Sequence, residues 1–321
     1  MTEEKLELII PKSLIGRRID IAIQELLSTY SRAKIQEWIK SGFIFSERKK
    51  ISPKDIVMGG EKVFVNIQPD EKELQFQPEN IPINVVYEDE ELIIINKEKN
   101  RVVHPAAGNW SGTILNAILY HFPKNKFLPR CGIVHRLDKD TTGLMVIAKN
   151  EITQSNLISQ LQKKKVFREY RAIVWGQVLV NKSIDLPIGR HPTVRTKMAV
   201  NRNNGKDAIT HYEVLERFLM HSYLRCRLET GRTHQIRVHM NHNTCPIVGD
   251  KTYGLKKIIP TKEMTDKLRE ATINFPRQAL HSISLGLEHP KTKKEMLWDI
   301  DLPEDMKNLL DLIRYESRIS F

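Results

Sequence analysis

The sequence predicts an α+β protein in two parts: a small unit of two helices and a hairpin, and a larger domain built on a mixed or antiparallel sheet. Three observations predict it. Strand-like segments outnumber helix-like ones, and no βαβ pattern recurs, which argues against a doubly wound sheet. A polar stretch with Pro69 and Pro78, residues 68 to 80, separates two regions of different pattern. The 321 residues also exceed what one small core requires.

Each element follows from local pattern. Residues 1 to 11 look like a short leader. In the unit from 12 to 67, Ile19, Ile23, Leu26 and Leu27 recur on one helical face. Ser31 is a suitable N-cap for a second helix, whose apolar stripe is Ile35, Trp38 and Ile39. Gly42 stands where a C-terminal glycine would stop it. FIF (43 to 45) and VFVNI (63 to 67) read as short strands. Beyond residue 80, the strand candidates are VVYED, LIIIN, LMVIA, YRAIVW, THYEVLERF, LRCRLET, ALHSISLGLE and EMLWDI. Residues 113 to 122, 151 to 164 and 305 to 316 read as helices.

Composition narrows the class. Hydrophobic residues make up 40% and charged residues 28%, as in ordinary globular proteins. Lys and Arg number 51 against 39 Asp and Glu, a formal charge of +12 that favours a polyanionic partner such as nucleic acid. The start of the chain lacks the pattern of a secretory signal, and no apolar run is long enough to span a bilayer. Cys131, Cys226 and Cys245 are odd in number and far apart, so neither a disulfide framework nor a zinc pair is expected. The expected compartment is the reducing cytosol.

The basic residues cluster. Lys12, Arg17, Arg18, Arg32, Lys34, Lys40, Arg48, Lys49 and Lys50 lie in the small unit. Lys163, Lys164, Lys165 and Arg168 form a second group. Arg190, Arg195, Lys197, Arg202 and Lys206 lie along a loop-like third. Any one of these can be solvated surface, but three clusters suit a protein that grips phosphates at several places.

Three segments could carry chemistry. In GIVHRLDKDTTGLMVIAKN (132 to 150), a loop crowded with His135, Arg136, Asp138, Lys139 and Asp140 leads into an apolar strand. Charges beside a buried strand are costly unless they are paired or used. His135-Arg136 suggests a kinase catalytic loop, but Leu137 intervenes and the remaining kinase motifs are missing. Asp138 and Asp140 could hold Mg²⁺, yet no further acidic ligands lie nearby in sequence. In REYRAIVWG (168 to 176), Tyr170 begins a strand, ordinarily a packing position. In LETGRTHQIRVHMNH (228 to 242), Gly231 separates a strand from a helix that Thr233 could cap. His234 and His239 are five residues apart and point about 140° from each other on a helix, which disfavours zinc. Arg232 and Arg237 are better candidates, as rigid partners for a carboxylate or phosphate.

In this order, the three segments resemble the catalytic, tyrosine and arginine motifs of the RluA-type pseudouridine synthases. YEDEELIIINK, VVHPAAGNWSGTILNAILYH, PIGRHP, PIVGDKTYG and RQALHS extend the resemblance through the larger domain. The small unit is similar to an S4 RNA-binding domain, with Arg18-Ile19-Asp20 and Ser31-Arg32 at the expected places. The departures are Glu98 and Asn100, where the family usually has Pro and Gly, and Phe45-Ser46-Glu47, where S4 domains often carry a Val-Asn-Gly turn.

The resemblance implies a cofactor-free isomerase that converts uridine to pseudouridine in RNA. It implies a pseudouridine synthase catalytic domain over 81 to 317, a linker at 68 to 80 and an S4-like domain over 12 to 67. Asp138 would be the catalytic carboxylate, attacking C1′, attacking C6 or taking the 2′ proton. Arg237 would pair with Asp138 and orient it, and Tyr170 would lie against the uracil. Arg136 would fill the gap left by the flipped uridine, and His135, Arg232 and His104 would complete the substrate-binding set. Arg18, Arg32, Lys34 and Lys40 would contact RNA through the S4-like unit. The implied substrate is large-subunit (23S) ribosomal RNA or a pre-ribosomal particle, at the interface stem-loop (helix 69). No metal, other cofactor or membrane is expected, and a monomer is the default. A non-catalytic RNA-binding assembly factor and a metal-dependent hydrolase stay open as alternatives.

Overall fold

The computed structural model describes residues 5–27, 31–46, 51–66, 77–106, 108–194, 196–255 and 264–319. Most of the predicted linker (68 to 76) lies outside them, as do Arg48, Lys49, Lys50 and Arg195 of the basic clusters. The chain divides into two compact units, Met1–Leu74 and Gln75–Phe321.

In the first unit, β1 (Lys5–Ile9), β2 (Ile44–Ser46) and β3 (Lys62–Asn66) form an antiparallel sheet with β3 in the middle. The supposed leader is therefore an edge strand; its register places Leu6 and Leu8 opposite Val65 and Val63. Helices α1 (Ile19–Leu26) and α2 (Arg32–Lys40) share one core with the sheet, including Ile23, Ile35, Trp38, Val63 and Val65. The Ser31 hydroxyl accepts from Lys34 N–H, as an N-cap does. Gly42 ends α2 in the left-handed region at φ +79°. The fully buried carboxylate of Asp20 accepts from Arg18, Arg32 and Gln36, so both arginines are braced at their inner ends and half-exposed beyond.

The second unit is built on a mixed sheet. Its strands are β4 (Val85–Glu88), β5 (Leu92–Lys97), β6 (Thr142–Ala148), β7 (Phe167–Trp175), β8 (Lys182–Asp185), β11 (Ile209–Arg217), β12 (His221–Leu228), β13 (Leu280–Glu288) and β14 (Glu295–Asp299). The order is β4-β5-β6-β13-β7-β12-β11-β8, with β14 on the far half of β13. Only the β6–β13 pairing is parallel among the described strands. Two short strands, β9 (Ile188–Arg190) and β10 (Met198–Val200), pair separately, so the basic stretch read as a loop is partly a hairpin.

Helices α3 (Ile114–His121), α4 (Glu151–Gln162), α5 (Gln235–His242), α6 (Asp266–Ile273) and α7 (Glu304–Ile319) complete the unit. The α6 helix is absent from the sequence expectations. The continuous apolar runs of β5 and β6 reflect burial on both faces: Ile93, Ile95, Met145 and Ile147 enter one core, and Leu92, Ile94, Leu144 and Val146 another. At Gly143, φ is +114°, and a Cβ there would lie 2.1 Å from the Ser282 carbonyl oxygen. Only glycine lets β6 cross this close to β13, and that crossing brings the loop before β6 beside β7.

Candidate active site

Asp138 sits on that loop, and its backbone is held from several sides. The buried Lys97 ammonium donates to the carbonyls of Glu98, Arg101 and Lys139 at 2.8, 3.0 and 2.9 Å. Arg277 donates to the Asp140 carbonyl at 3.2 Å and grips Asp305 with its other nitrogens at 2.9 and 2.8 Å. Asn100 takes φ +60° in the turn beside the loop. Asn tolerates that conformation better than most residues, so the departure from a family glycine leaves the turn intact.

The Arg277–Asp305 pair yields a pH prediction. Burial would raise the Asp305 carboxyl, but hydrogen bonds and charge from Arg277 and Lys99 outweigh it and hold the carboxyl at about 2. The folded group therefore titrates below its unfolded value. The stability it contributes is present above about pH 4 and is lost as pH falls toward 2. Urea melts should show Asp305→Asn less stable than wild type at pH 7 by up to about 2 kcal/mol, with the gap closing below pH 4. A gap that stayed constant with pH would contradict this linkage.

Arg237 and His234 approach Asp138, and Asp250 and Tyr253 stand behind them. From α5, Arg237 Nη1 donates to Asp138 Oδ2 at 2.8 Å. Its Nε and Nη2 donate to both oxygens of Asp250 at 2.7 and 2.9 Å. Asp250, fully buried at its side chain, also accepts from the backbone N–H groups of Thr252 and Tyr253. Burial works against its charge, but Arg237 and those two N–H groups prevail and keep the carboxyl below the usual range. The Arg237 guanidinium lies 5.2 Å from the centre of the Tyr253 ring. Tyr253 in turn meets His234 Nδ1 at 2.8 Å, and His234 Nε2 is 4.0 Å from Asp138 Oδ1. That distance is too long for a hydrogen bond, and Arg237 uses only the other oxygen, so no cation among the described residues hydrogen-bonds to Oδ1.

Tyr170 reaches the same cleft from β7, near the middle of the sheet. Burial and the Asp138 charge raise its phenol, while Arg168 and a hydrogen bond with Ser282 oppose them. The net effect is upward, so the ring stays protonated and neutral at physiological pH.

The cleft has a volume of about 920 Å³ and is lined by Asp138, Tyr170 and Arg237 together with His104, Arg136 and Arg232. A smaller recess of about 240 Å³ lies on the other side of Asp138. Arg136 is exposed and lines both. Arg232 is exposed, with Nε donating to the Asp207 carbonyl at 2.9 Å. Burial and nearby arginines lower His104 to about 4.

Two expectations change. His135 lines the cleft, but its Nε2 accepts the Val146 backbone N–H at 3.0 Å, and burial pushes it down to about 3. It is a neutral brace for the loop, with one ring nitrogen already committed to backbone. Thr233 does not cap α5: the N-cap is His234, at φ +58° with no side-chain cap bond. The Gln235 side chain instead ties down the turn that precedes the helix, accepting from Arg232 N–H and Thr230 Oγ1.

His239 is buried between Thr210 and the Leu186 carbonyl. Among the described residues, no three His, Cys, Asp or Glu side chains group as metal ligands. Sequence reasoning missed Asp250, Tyr253, His234, Lys97 and Arg168 as site residues. The segment PIVGDKTYG carried a signal for the first two, since an acid and an aromatic stand between two glycines there.

Residues 91–242 match the family described as RNA pseudouridylate synthase. The ribosomal large subunit pseudouridine synthase D of Pasteurella multocida is 47% identical over 308 residues, covering 96% of this chain and 94% of that protein. Its counterpart in Escherichia coli K12 is 47% identical over 306 residues, covering 95% and 93%. That of Neisseria meningitidis Z2491 is 45% identical over 317 residues, covering 98% and 84%. Among solved structures, human RNA Pseudouridylate Synthase Domain Containing 4 aligns with TM-score 0.55 and 24% identity, over 72% of this chain and 93% of that one. This last likeness speaks to the α+β fold alone.

Proposed function

We propose, from the premise that the chain belongs to the RNA pseudouridylate synthase family, that it isomerises uridines to pseudouridine in large-subunit ribosomal RNA. The observation that carries the reading is the line Asp250–Arg237–Asp138 facing Tyr170 across one cleft. Isomerisation detaches uracil at N1, turns it and rejoins it through C5 with no net change in redox state. It requires a carboxylate fixed beside the sugar and the base. Arg237 fixes Asp138 while leaving Oδ1 available, and Asp250 fixes Arg237 in turn. Tyr170 gives the base an aromatic wall and a phenol near C5. Arg136, exposed at the mouth of the cleft, fills the stack when the uridine flips out. Flipping costs a few kcal/mol and least in an unpaired loop, which favours a stem-loop target such as the interface stem-loop.

The first unit serves as an S4-like RNA-binding module. Arg18 and Arg32, braced on Asp20, and exposed Lys40 present charge that phosphates can pair with. Lys34, tied to Glu37 at 3.5 Å, contributes more weakly. Among the described residues, no helix is long and apolar enough to cross a membrane.

The direct test incubates the protein with ribosomal RNA tritiated at uridine C5 and maps products by carbodiimide-dependent primer-extension stops. Tritium release without added metal, with stops in large-subunit RNA, is the expected result. No release from any ribosomal RNA would refute the reading. Deleting residues 1 to 74 should weaken RNA binding by about 10-fold or more while leaving turnover of a saturating minimal stem-loop nearly intact. An equal loss of turnover would mean that the unit shapes the active site.

A further inference from the structure

Arg168 is the unexplained charge in the cleft. It is 5% exposed, lines the cleft, and has no carboxylate within ion-pair distance among the described residues. One terminal nitrogen, Nη2, donates to the Glu229 carbonyl at 3.0 Å and more distantly to Leu228 at 3.5 Å. Its buried Nε has no hydrogen-bond partner among the described residues. Among the described residues this buried cation is held by carbonyls alone, which is costly, so its presence calls for a negative charge that arrives during function.

Position indicates which charge. Arg168 and Tyr170 are two residues apart on β7, so their side chains leave the same face about 7 Å apart. A base lying against Tyr170 therefore reaches the guanidinium. Gly231 makes room for it: a Cβ there would lie 2.9 Å from Arg168 Nη1.

We infer that Arg168 is a catalytic residue that stabilises negative charge on the uracil ring while it is detached. The inference rests on the reading of Asp138 as the reacting carboxylate. When the N1–C1′ bond breaks, its electron pair stays with the uracil and is shared by N1, O2 and O4. The new C5–C1′ bond then takes a pair from the ring. The proton lost from C5 is balanced by one gained at N1. Whichever atom Asp138 meets first, the ring carries negative charge before it rejoins, and a desolvated guanidinium already in place lowers that barrier without reorganising.

The test uses the full chain and the ribosomal RNA fragment that wild type modifies, carrying either uridine or 5-fluorouridine at the target. Fluorine withdraws charge and stabilises the detached ring by itself. On uridine, Arg168→Met should lower the single-turnover rate at saturating RNA by about 10²-fold, with Kd changed no more than about threefold. On 5-fluorouridine, followed as its loss from nuclease digests, the defect should shrink several-fold. Arg168→Lys should recover part of the rate. Gly231→Ala, which keeps every charge but displaces the guanidinium, should show the same pattern more mildly. These last two variants carry the comparison if Arg168→Met fails a thermal melt.

An unchanged rate, or equal defects on both bases, would overturn the inference. So would a weaker Kd with a shallower salt dependence and a normal saturating rate, which would make Arg168 a phosphate anchor. An active Asp138→Asn would instead overturn the reading beneath it; an inactive Asp138→Asn beside an unimpaired Arg168→Met would overturn this inference alone.

Discussion

Asp138→Asn is expected to stop pseudouridine formation, with tritium release falling by ~10⁴-fold or more. Asn keeps the size and an oxygen that can accept from Arg237, but loses the charge that the reaction uses. Stability should barely move, because Asp250 still neutralises the Arg237 guanidinium through two hydrogen bonds. The variant should therefore bind RNA with an unchanged Kd and melt near wild type while turning over nothing. That combination separates a reacting carboxylate from a structural one. Full activity in this variant would end the proposed mechanism, and a large fall in melting temperature would give Asp138 a structural role instead.

Asp250→Ala should have the second-largest effect, of a different kind. Asp250 does not line the cleft, yet it accepts two hydrogen bonds from Arg237 and two from backbone N–H groups while fully buried. Removing it leaves a buried guanidinium with half its partners missing, an error that costs about 3–5 kcal/mol. For a domain of this size, that corresponds to a fall in Tm of about 10 °C. Arg237 would then lean toward Asp138, and kcat should drop by about 10²-fold, since a displacement of about 1 Å in a catalytic group costs that much.

The sign of the pH dependence follows from the depressed carboxyl of Asp250. Its stabilising effect is present above the unfolded value near pH 4 and is lost only below it. The gap between wild type and Asp250→Ala should therefore hold from pH 5 to 8. A variant with unchanged Tm and unchanged kcat would remove Asp250 from the site.

Much of the site was legible because chemistry here is concentrated in short segments. A charged loop ending at Gly143, a tyrosine opening a strand and an arginine on a short helix were all visible as motifs. Periodicity also placed α1 and α2 and the strands of the large sheet except the edge strand β8, which has no counterpart among the strand candidates. The failures share a cause. Leu6 and Leu8 form too short an alternation to mark a strand, and only pairing with β3 makes one of β1. The contact that holds one ring nitrogen of His135, the Val146 N–H, was likewise not legible, because it lies across the loop in space. Asp250 stood in a recognised segment without a role, because its role is to meet a side chain on a different element.

By itself, the sequence determined which residue types were present to do chemistry, which segments carried them and which faces of each element would be buried. Those properties are local, set by side-chain identity and by the helical and strand repeats. The tertiary structure alone decided the pairings: Arg237 shared between Asp138 and Asp250, one nitrogen of His135 given to backbone, and the Arg168 Nε without a hydrogen-bond partner among the described residues. The reason is that a charge is stabilised by whatever lies within a few ångströms of it. For these residues, those neighbours come from distant parts of the chain, brought together where β6 crosses β13 beside β7.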